Sequence, residues 1–306
     1  MNDSVYLKLP ATSPNLGPGF DTMGLALALY LEIQAAPAAD FKIEASGRNA
    51  ETCTALERNL LLDAYRTTLR ANGKDPAPLS LQVQNEIPIG MGCGSSAAAR
   101  LAGVTLASYF GDLQWRRERI LAEACLLEGH PDNVAACWMG GFTLSAMENG
   151  EVHTITLSAP EAWEAMLVLP EQPLSTSRAR GVLPERYSRE DSVANIQHAG
   201  LLTAAFATGR GDLLRFAMQD RIHQPYRGHL CPLLPVLAPL AGSEGILGVA
   251  LSGAGPGILL LIDRDVRVTA RAAVQKTIRN TEAQVLSVGF ANEPALVRAV
   301  VAAGRV

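Results

Sequence analysis

The stretch Pro88-Ile89-Gly90-Met91-Gly92-Cys93-Gly94-Ser95-Ser96-Ala97-Ala98 constrains this chain more than any other. Before it, Leu79-Ser80-Leu81-Gln82-Val83-Gln84 alternates apolar and polar, the period of a half-buried strand. After it, residues 95–110 are rich in alanine and poor in charge, which predicts a helix buried on most sides. Glycines between such elements let backbone N–H groups converge on an anion. The helix that follows points its positive end at the same place. The unit is therefore read as strand, glycine turn, helix, with a phosphate cradle at the turn. No Lys or Arg falls between Lys74 and Arg100, which excludes a Walker-type loop. The dinucleotide fingerprint is excluded too, because its third glycine is missing. A glycine-rich helix cap is the plain alternative. Ser95 and Ser96 favour the cradle, since hydroxyls at a helix start can donate to phosphate or ligate Mg²⁺.

The chain of 306 residues is long enough for one large domain or two ordinary ones. A net charge of −4, with Lys and Arg scattered, gives no nucleic-acid footprint. Cys53, Cys93, Cys125, Cys137 and Cys231 form no C-x-x-C pair. They read as reduced thiols in a cytoplasmic protein rather than a disulfide or zinc framework. Residues 1–9 lack the basic start and apolar core of a secretory leader. Residues 246–262 carry no charge, yet Gly248, Gly253, Gly255, Pro256 and Gly257 interrupt them. They are read as two buried strands around a turn, not as a membrane span.

Further strands are expected at residues 5–9, 23–33, 142–146, 152–157, 166–169, 247–251 and 258–262, with a last one at 284–288. Residues 10–21 are expected to be a loop. Helices are expected at 59–70, 115–127, just before Gly140-Gly141, and at 192–208, 211–218 and 266–279. Strands and helices mix without a βαβ period, so the fold class is α+β. A pattern change near Pro160 divides the chain into lobes at 1–155 and 156–306.

Three motifs in order carry a resemblance. Pro88 to Ala98 resembles the ATP loop of the GHMP small-molecule kinases, with Cys93 where Leu is usual. Pro10-Ala11-Thr12-Ser13-Pro14-Asn15-Leu16-Gly17-Pro18-Gly19-Phe20-Asp21 resembles the first family motif in its homoserine kinase form. Ser252-Gly253-Ala254-Gly255-Pro256 resembles the third. The resemblance implies a two-lobe α+β fold: an amino-terminal ribosomal-protein-type sandwich and a ferredoxin-like carboxy-terminal lobe, with the site between them. It implies ATP-dependent phosphorylation of L-homoserine, feeding threonine synthesis, by a homodimer without nucleic-acid or membrane partners. The same family contains kinases of mevalonate, shikimate and sugars, and an inactive metabolite-binding relative is a further alternative.

The segment Glu128-Gly129-His130-Pro131-Asp132-Asn133 concentrates carboxylates, an imidazole and an amide. On plain grounds Glu128 is a surface charge and Asp132 a cap for the helix toward Trp138. The resemblance implies that Ser96 and Glu128 hold Mg²⁺, and that Asn133 meets the reacting hydroxyl with no side-chain base. Asp132 is the competing base. Adjacent helical residues diverge by about 100°, so the two cannot serve one hydroxyl equally. Arg180 and Arg227 match the receptors of a substrate carboxylate, for which arginine's fork is suited. Asp21, with Asn15, matches the ammonium receptor. His130 lines the same site, and Thr176 matches a position near the reacting groups. Asn59 is read equally well as a helix cap or as a neighbour of the adenine.

Overall fold

The computed structural model describes residues 4–300. Residues 1–3 and 301–306, which the leader reading and the lobe limits include, lie outside the described residues. The chain opens with two long antiparallel strands, β1 (Ser4–Asn15) and β2 (Gly19–Pro37). The expected loop at 10–21 is thus mostly strand, and its turn is only residues 16–18. Pro10 and Pro14 are what hid this: proline cannot donate to a ladder and is tolerated in strands at bulges. The β1–β2 register shifts at Pro10/Ala11 and again at Pro14/Asn15.

Then come β3 (Lys42–Gly47), the short helix α1 (Ala50–Thr54), α2 (Leu60–Ala71) and β4 (Leu79–Asn85). β3 and α1 were not foreseen, because neither run shows a clean period. Asn59 caps α2: its Oδ1 accepts from the N–H groups of Leu61 at 3.1 Å and Leu62 at 3.2 Å. Such a cap contributes about 1 kcal/mol. The glycine turn leads into α3 (Ser95–Phe110). A Cβ on Gly103 would stand 2.3 Å from the Leu61 carbonyl oxygen, so α2 and α3 pack at a distance only glycine permits. α4 (Arg117–Glu128) and α5 (Asp132–Met139) follow, then the hairpin β5 (Phe142–Glu148) and β6 (Glu151–Leu157).

β7 (Trp163–Leu169) starts a second sheet. After it come α6 (Thr176–Arg180), α7 (Arg189–Thr208), α8 (Leu214–Ala217), α9 (Gln224–Arg227) and α10 (Leu233–Leu237). β8 (Ile246–Leu251) and β9 (Ile258–Asp263) are the two strands expected around the glycine turn. No helix among the described residues is long and apolar enough to cross a membrane. α11 (Arg267–Thr277) and β10 (Gln284–Val288) precede a strand the sequence did not reveal, β11 (Leu296–Val300). β10 is therefore not the last strand.

The first sheet has the order β11-β1-β2-β4-β3, with β5 pairing β2 and β6. Only β3–β4 is parallel. The second sheet, β10-β7-β9-β8, is antiparallel. Its two faces bury different cores, as the period-two alternation of a strand requires. On β7, Ala165, Leu167 and Leu169 join the large core shared with the first sheet. Met166 and Val168 join a second core with Cys231, Leu237 and Ala270. Each fully buried Leu or Met contributes roughly 1.5–3 kcal/mol. Phe206 of α7 stacks on Phe142 at 4.0 Å and meets Trp163 edge-on at 5.2 Å, tying the two sheets together. The α+β class agrees with the sequence reading.

Candidate active site

The glycine turn lies between the first and third motifs, and its shape depends on both. Gly90, Gly92 and Gly94 have φ of 74°, 75° and 73°, which L side chains rarely adopt. A Cβ on Gly92 would lie 1.9 Å from the Ser252 carbonyl oxygen, and one on Gly94 1.9 Å from Thr12 Oγ1. The Thr12 N–H donates to the Cys93 carbonyl at 3.1 Å. The Ser252 hydroxyl contacts the Gly92 carbonyl at 2.7 Å and Ser13 Oγ at 2.9 Å. The three motifs thus build one structure, although they are far apart in sequence.

A cavity of about 370 Å³ opens over this turn, within the usual size of small-ligand sites. Ile89, Gly90, Gly92, Cys93, Gly94, Ser95 and Ser96 line it. Pro88 and Met91 face a separate hollow, and Ala97 and Ala98 are buried in the core. Those four shape the turn from outside the cavity. Burial pushes the Cys93 thiol up to about 12, opposed only weakly by Arg48, so it stays protonated at neutral pH. One end of the cavity is apolar, with Leu31, Ile43, Cys53, Leu60 and Val83, and Asn59 stands there too. The other end holds Asn15, Asp21, Glu128, His130, Asp132, Asn133, Thr176, Arg180 and Arg227, so every polar substrate candidate reaches the same space.

Asn133 is buried, and its Oδ1 accepts from the Thr12 hydroxyl at 2.6 Å. Its NH₂ group makes no hydrogen bond to the described residues. Asp132 is the first residue of α5, not its cap, which is Pro131. Its Oδ1 accepts from the Asn133 N–H at 2.7 Å and lies 2.6 Å from His130 Nδ1. Burial lowers the His130 pKa. The hydrogen bond to Asp132 and the charges of Asp132, Glu128 and Asp21 outweigh it, so the pKa ends above its ordinary value. Asp132 is thus already engaged by the His130 ring and by the Asn133 N–H.

Arg180 and Asp21, assigned from sequence to opposite ends of a substrate, here hold each other. Arg180 Nη1 donates to Asp21 Oδ2 at 3.0 Å and Nη2 to Oδ1 at 2.5 Å. Both side chains are about one-third exposed, at 37% and 33%, so a ligand can reach between them. The Asp21 N–H donates to Asn15 Oδ1 at 3.0 Å. Arg227 is almost wholly buried. Its Nε donates to the Ala179 carbonyl at 3.0 Å and its Nη1 to His223 Nδ1 at 2.9 Å. His223 Nε2–H donates in turn to the Gly17 carbonyl at 2.8 Å. Burial and the neighbouring Arg227 lower the His223 pKa against the pull of Asp220, which fits this neutral tautomer. Phe20 stacks on His223 at 5.3 Å and lies under both guanidinium groups at 5.4 Å.

Ser96 Oγ donates to Glu128 Oε2 at 2.9 Å, and Arg100 Nη1 contacts both oxygens. A hydroxyl and a nearly buried carboxylate already bridged by a cation are hard oxygen donors of the kind Mg²⁺ takes, so the residues fit that ion. Sequence reasoning missed Thr12, Arg100 and His223. Thr12 was visible inside the first motif. Arg100 stands four residues after Ser96, and His223 four before Arg227, both spacings that share a helix face.

Comparisons with known proteins show the family. Residues 59–141 match the model of the GHMP kinases N terminal domain, and residues 202–280 that of the GHMP kinases C terminal domain. The chain belongs to the GHMP kinase family. A homoserine kinase of Solibacter usitatus is 47% identical over 264 residues, covering 86% of each chain. A homoserine kinase of Synechocystis is 39% identical over 264 residues, covering 85% of this chain and 86% of its own. The crystal structure of homoserine kinase from Cytophaga hutchinsonii superposes with a TM-score of 0.82 at 26% identity, covering 97% of this chain and 98% of that one.

Proposed function

We propose that this chain transfers the γ-phosphoryl group of ATP to the hydroxyl of L-homoserine, giving O-phospho-L-homoserine for threonine synthesis. The observation that carries the reading is a carboxylate, Asp21, and two guanidinium groups, Arg180 and Arg227, facing the cavity that the glycine turn floors. An amino acid brings one ammonium and one carboxylate. Mevalonate, shikimate and sugars bring no ammonium for Asp21. A coupled assay across these alcohols tests the reading. Turnover confined to homoserine supports it, and absence of homoserine turnover sinks it.

In this reading the apolar end takes the adenine and the N–H groups of residues 90–96 take the phosphates. The substrate carboxylate takes over the fork of Arg180 beside Arg227, while its ammonium takes over Asp21 with Asn15. The fixed Asn133 NH₂ group and Thr176 orient the hydroxyl toward the γ-phosphorus. The loose transition state of phosphoryl transfer makes little demand for early deprotonation, so positioning does most of the work. The hydroxyl oxygen bonds the γ-phosphorus as the bond to the bridging oxygen breaks and ADP leaves, and the hydroxyl proton passes to a phosphoryl oxygen without a side-chain base. Ser96 and Glu128 would hold Mg²⁺, which neutralises phosphate charge when bound.

Asn133 and Thr176 are the residues that act on the reacting groups. A lobe boundary near residue 155 is part of the same reading, with residues 296–300 returning to the first lobe. The five free cysteines support a reducing, cytoplasmic setting. A homodimer is the family-based expectation, and analytical ultracentrifugation decides it.

A further inference from the structure

Ser96 and Arg100 leave the same face of α3, one turn apart. The Arg100 guanidinium reaches across to Glu128 of α4 and contacts Ser96 on the way. The Glu128 side chain is 7% exposed and that of Arg100 26%, so the carboxylate is nearly sealed while the guanidinium keeps an open side. One nitrogen therefore occupies both oxygens that the metal reading assigns to Mg²⁺. The glycine turn has no charge of its own, and no lysine lines the cavity among the described residues. The cavity's own arginines, Arg58, Arg180 and Arg227, include none at Ser96. Arg100 is the cation placed there.

We propose that Arg100 is a resident counter-cation of the phosphate site, exchanging with Mg²⁺ on Ser96 and Glu128. While no metal is bound, it keeps these oxygens oriented and offsets the buried charge of Glu128. When nucleotide arrives without metal, its fork turns to the phosphates at the head of α3, a ligand that suits guanidinium geometry. When metal accompanies the nucleotide, Arg100 yields the two oxygens, because two cations cannot share them. This rests on the reading of Ser96 and Glu128 as the metal pair.

The exchange is measurable without turnover. Isothermal titration with the non-hydrolysable analogue AMP-PNP, once in EDTA and once in excess Mg²⁺, gives two Kd values. Their ratio is the coupling between metal and nucleotide. Arg100→Met should raise the ratio at least tenfold over the unmodified chain, chiefly by weakening metal-free binding. Arg100→Gln keeps the stem and a donor without the charge, and should behave alike should the methionine variant not fold. Glu128→Gln should bring the ratio toward one. A ratio left unchanged or lowered by the Arg100 variants, with Glu128→Gln still collapsing it, overturns the exchange and leaves the metal pair standing. A Glu128→Gln ratio equal to that of the unmodified chain overturns the metal pair and the exchange with it.

Discussion

The Thr12 hydroxyl donates to the Asn133 carboxamide across 2.6 Å, although the two residues are 121 positions apart. Strand β1 thereby sets which way the amide of α5 points. Thr12→Val keeps the shape and removes the donor, leaving a buried acceptor unpaired, at a cost of about 1–3 kcal/mol. Where that cost falls on the transition state, kcat drops roughly tenfold or more. Steady-state kinetics should show that drop with KM for both substrates within about threefold, and an unaltered kcat would mean the amide needs no such anchor.

The choice between Asn133 and Asp132 is separable by substitution. Asn133→Ala should lower kcat on the order of a hundredfold, because the hydroxyl loses its guide. Asp132→Asn should keep kcat within about tenfold, because His130 and the Asn133 N–H already engage that side chain. The reverse ranking would make Asp132 the base.

Arg180→Ala should raise KM for homoserine at least tenfold and leave KM for ATP nearly unchanged, since the substrate carboxylate loses its two-pronged partner. Arg227→Lys should do the same with some loss of stability, because the Nε bond to Ala179 and the bond to His223 go with the fork. Parallel loss of affinity for both substrates would point to misfolding instead.

The His130–Asp132 pair gives a stability signature. The His130 pKa is raised in the folded chain, its burial outweighed by Asp132 and the neighbouring carboxylates. Its stabilisation is therefore fully present below the ordinary histidine value of about 6.5 and is lost as pH rises through the folded value. Urea midpoints of the unmodified chain and of His130→Asn should differ more at pH 6 than at pH 9. An equal gap at both would show that the imidazole stays neutral.

Gly92→Ala tests the contact between the glycine turn and the third motif. The added methyl meets the Ser252 carbonyl in a backbone conformation with φ of 75°. Left-handed strain alone is roughly 1–2 kcal/mol, and the clash adds to it. Calorimetry should show a Tm lower by several degrees, with weaker nucleotide binding; an unchanged Tm would mean that the turn relaxes freely.

Much of this was legible in the chain itself. The glycine turn, the buried helix after it and the paired strands at 246–262 follow from period and composition, which are local properties. The three motifs gave the turn, Asn15 and Asp21, the segments at 128–133, 175–184 and 223–227 gave the other polar candidates, and all of them converge on one cavity. What sequence hid is non-local. Pro10 and Pro14 read as loop because the bulges that accommodate them exist only when β2 is alongside. The Arg180–Asp21 pair joins residues 159 apart, and no spacing rule reaches that far. Arg100 and Glu128 are 28 positions apart, and nothing in the sequence announces that α4 sets one against the other.

The pairing of β11 with β1 has a consequence for how the molecule comes into being. Ser4 lies opposite Val300, 296 residues away. As the chain emerges during synthesis, β1 can meet β2 early, but its outer edge stays bare until β11 arrives. An unpaired edge is a template for mispairing, and such a distant closure is slow. A fragment that stops near residue 155 would keep that bare edge permanently. The first sheet is therefore completed only by the last strand described, and its closure waits on the part of the chain that is made after it.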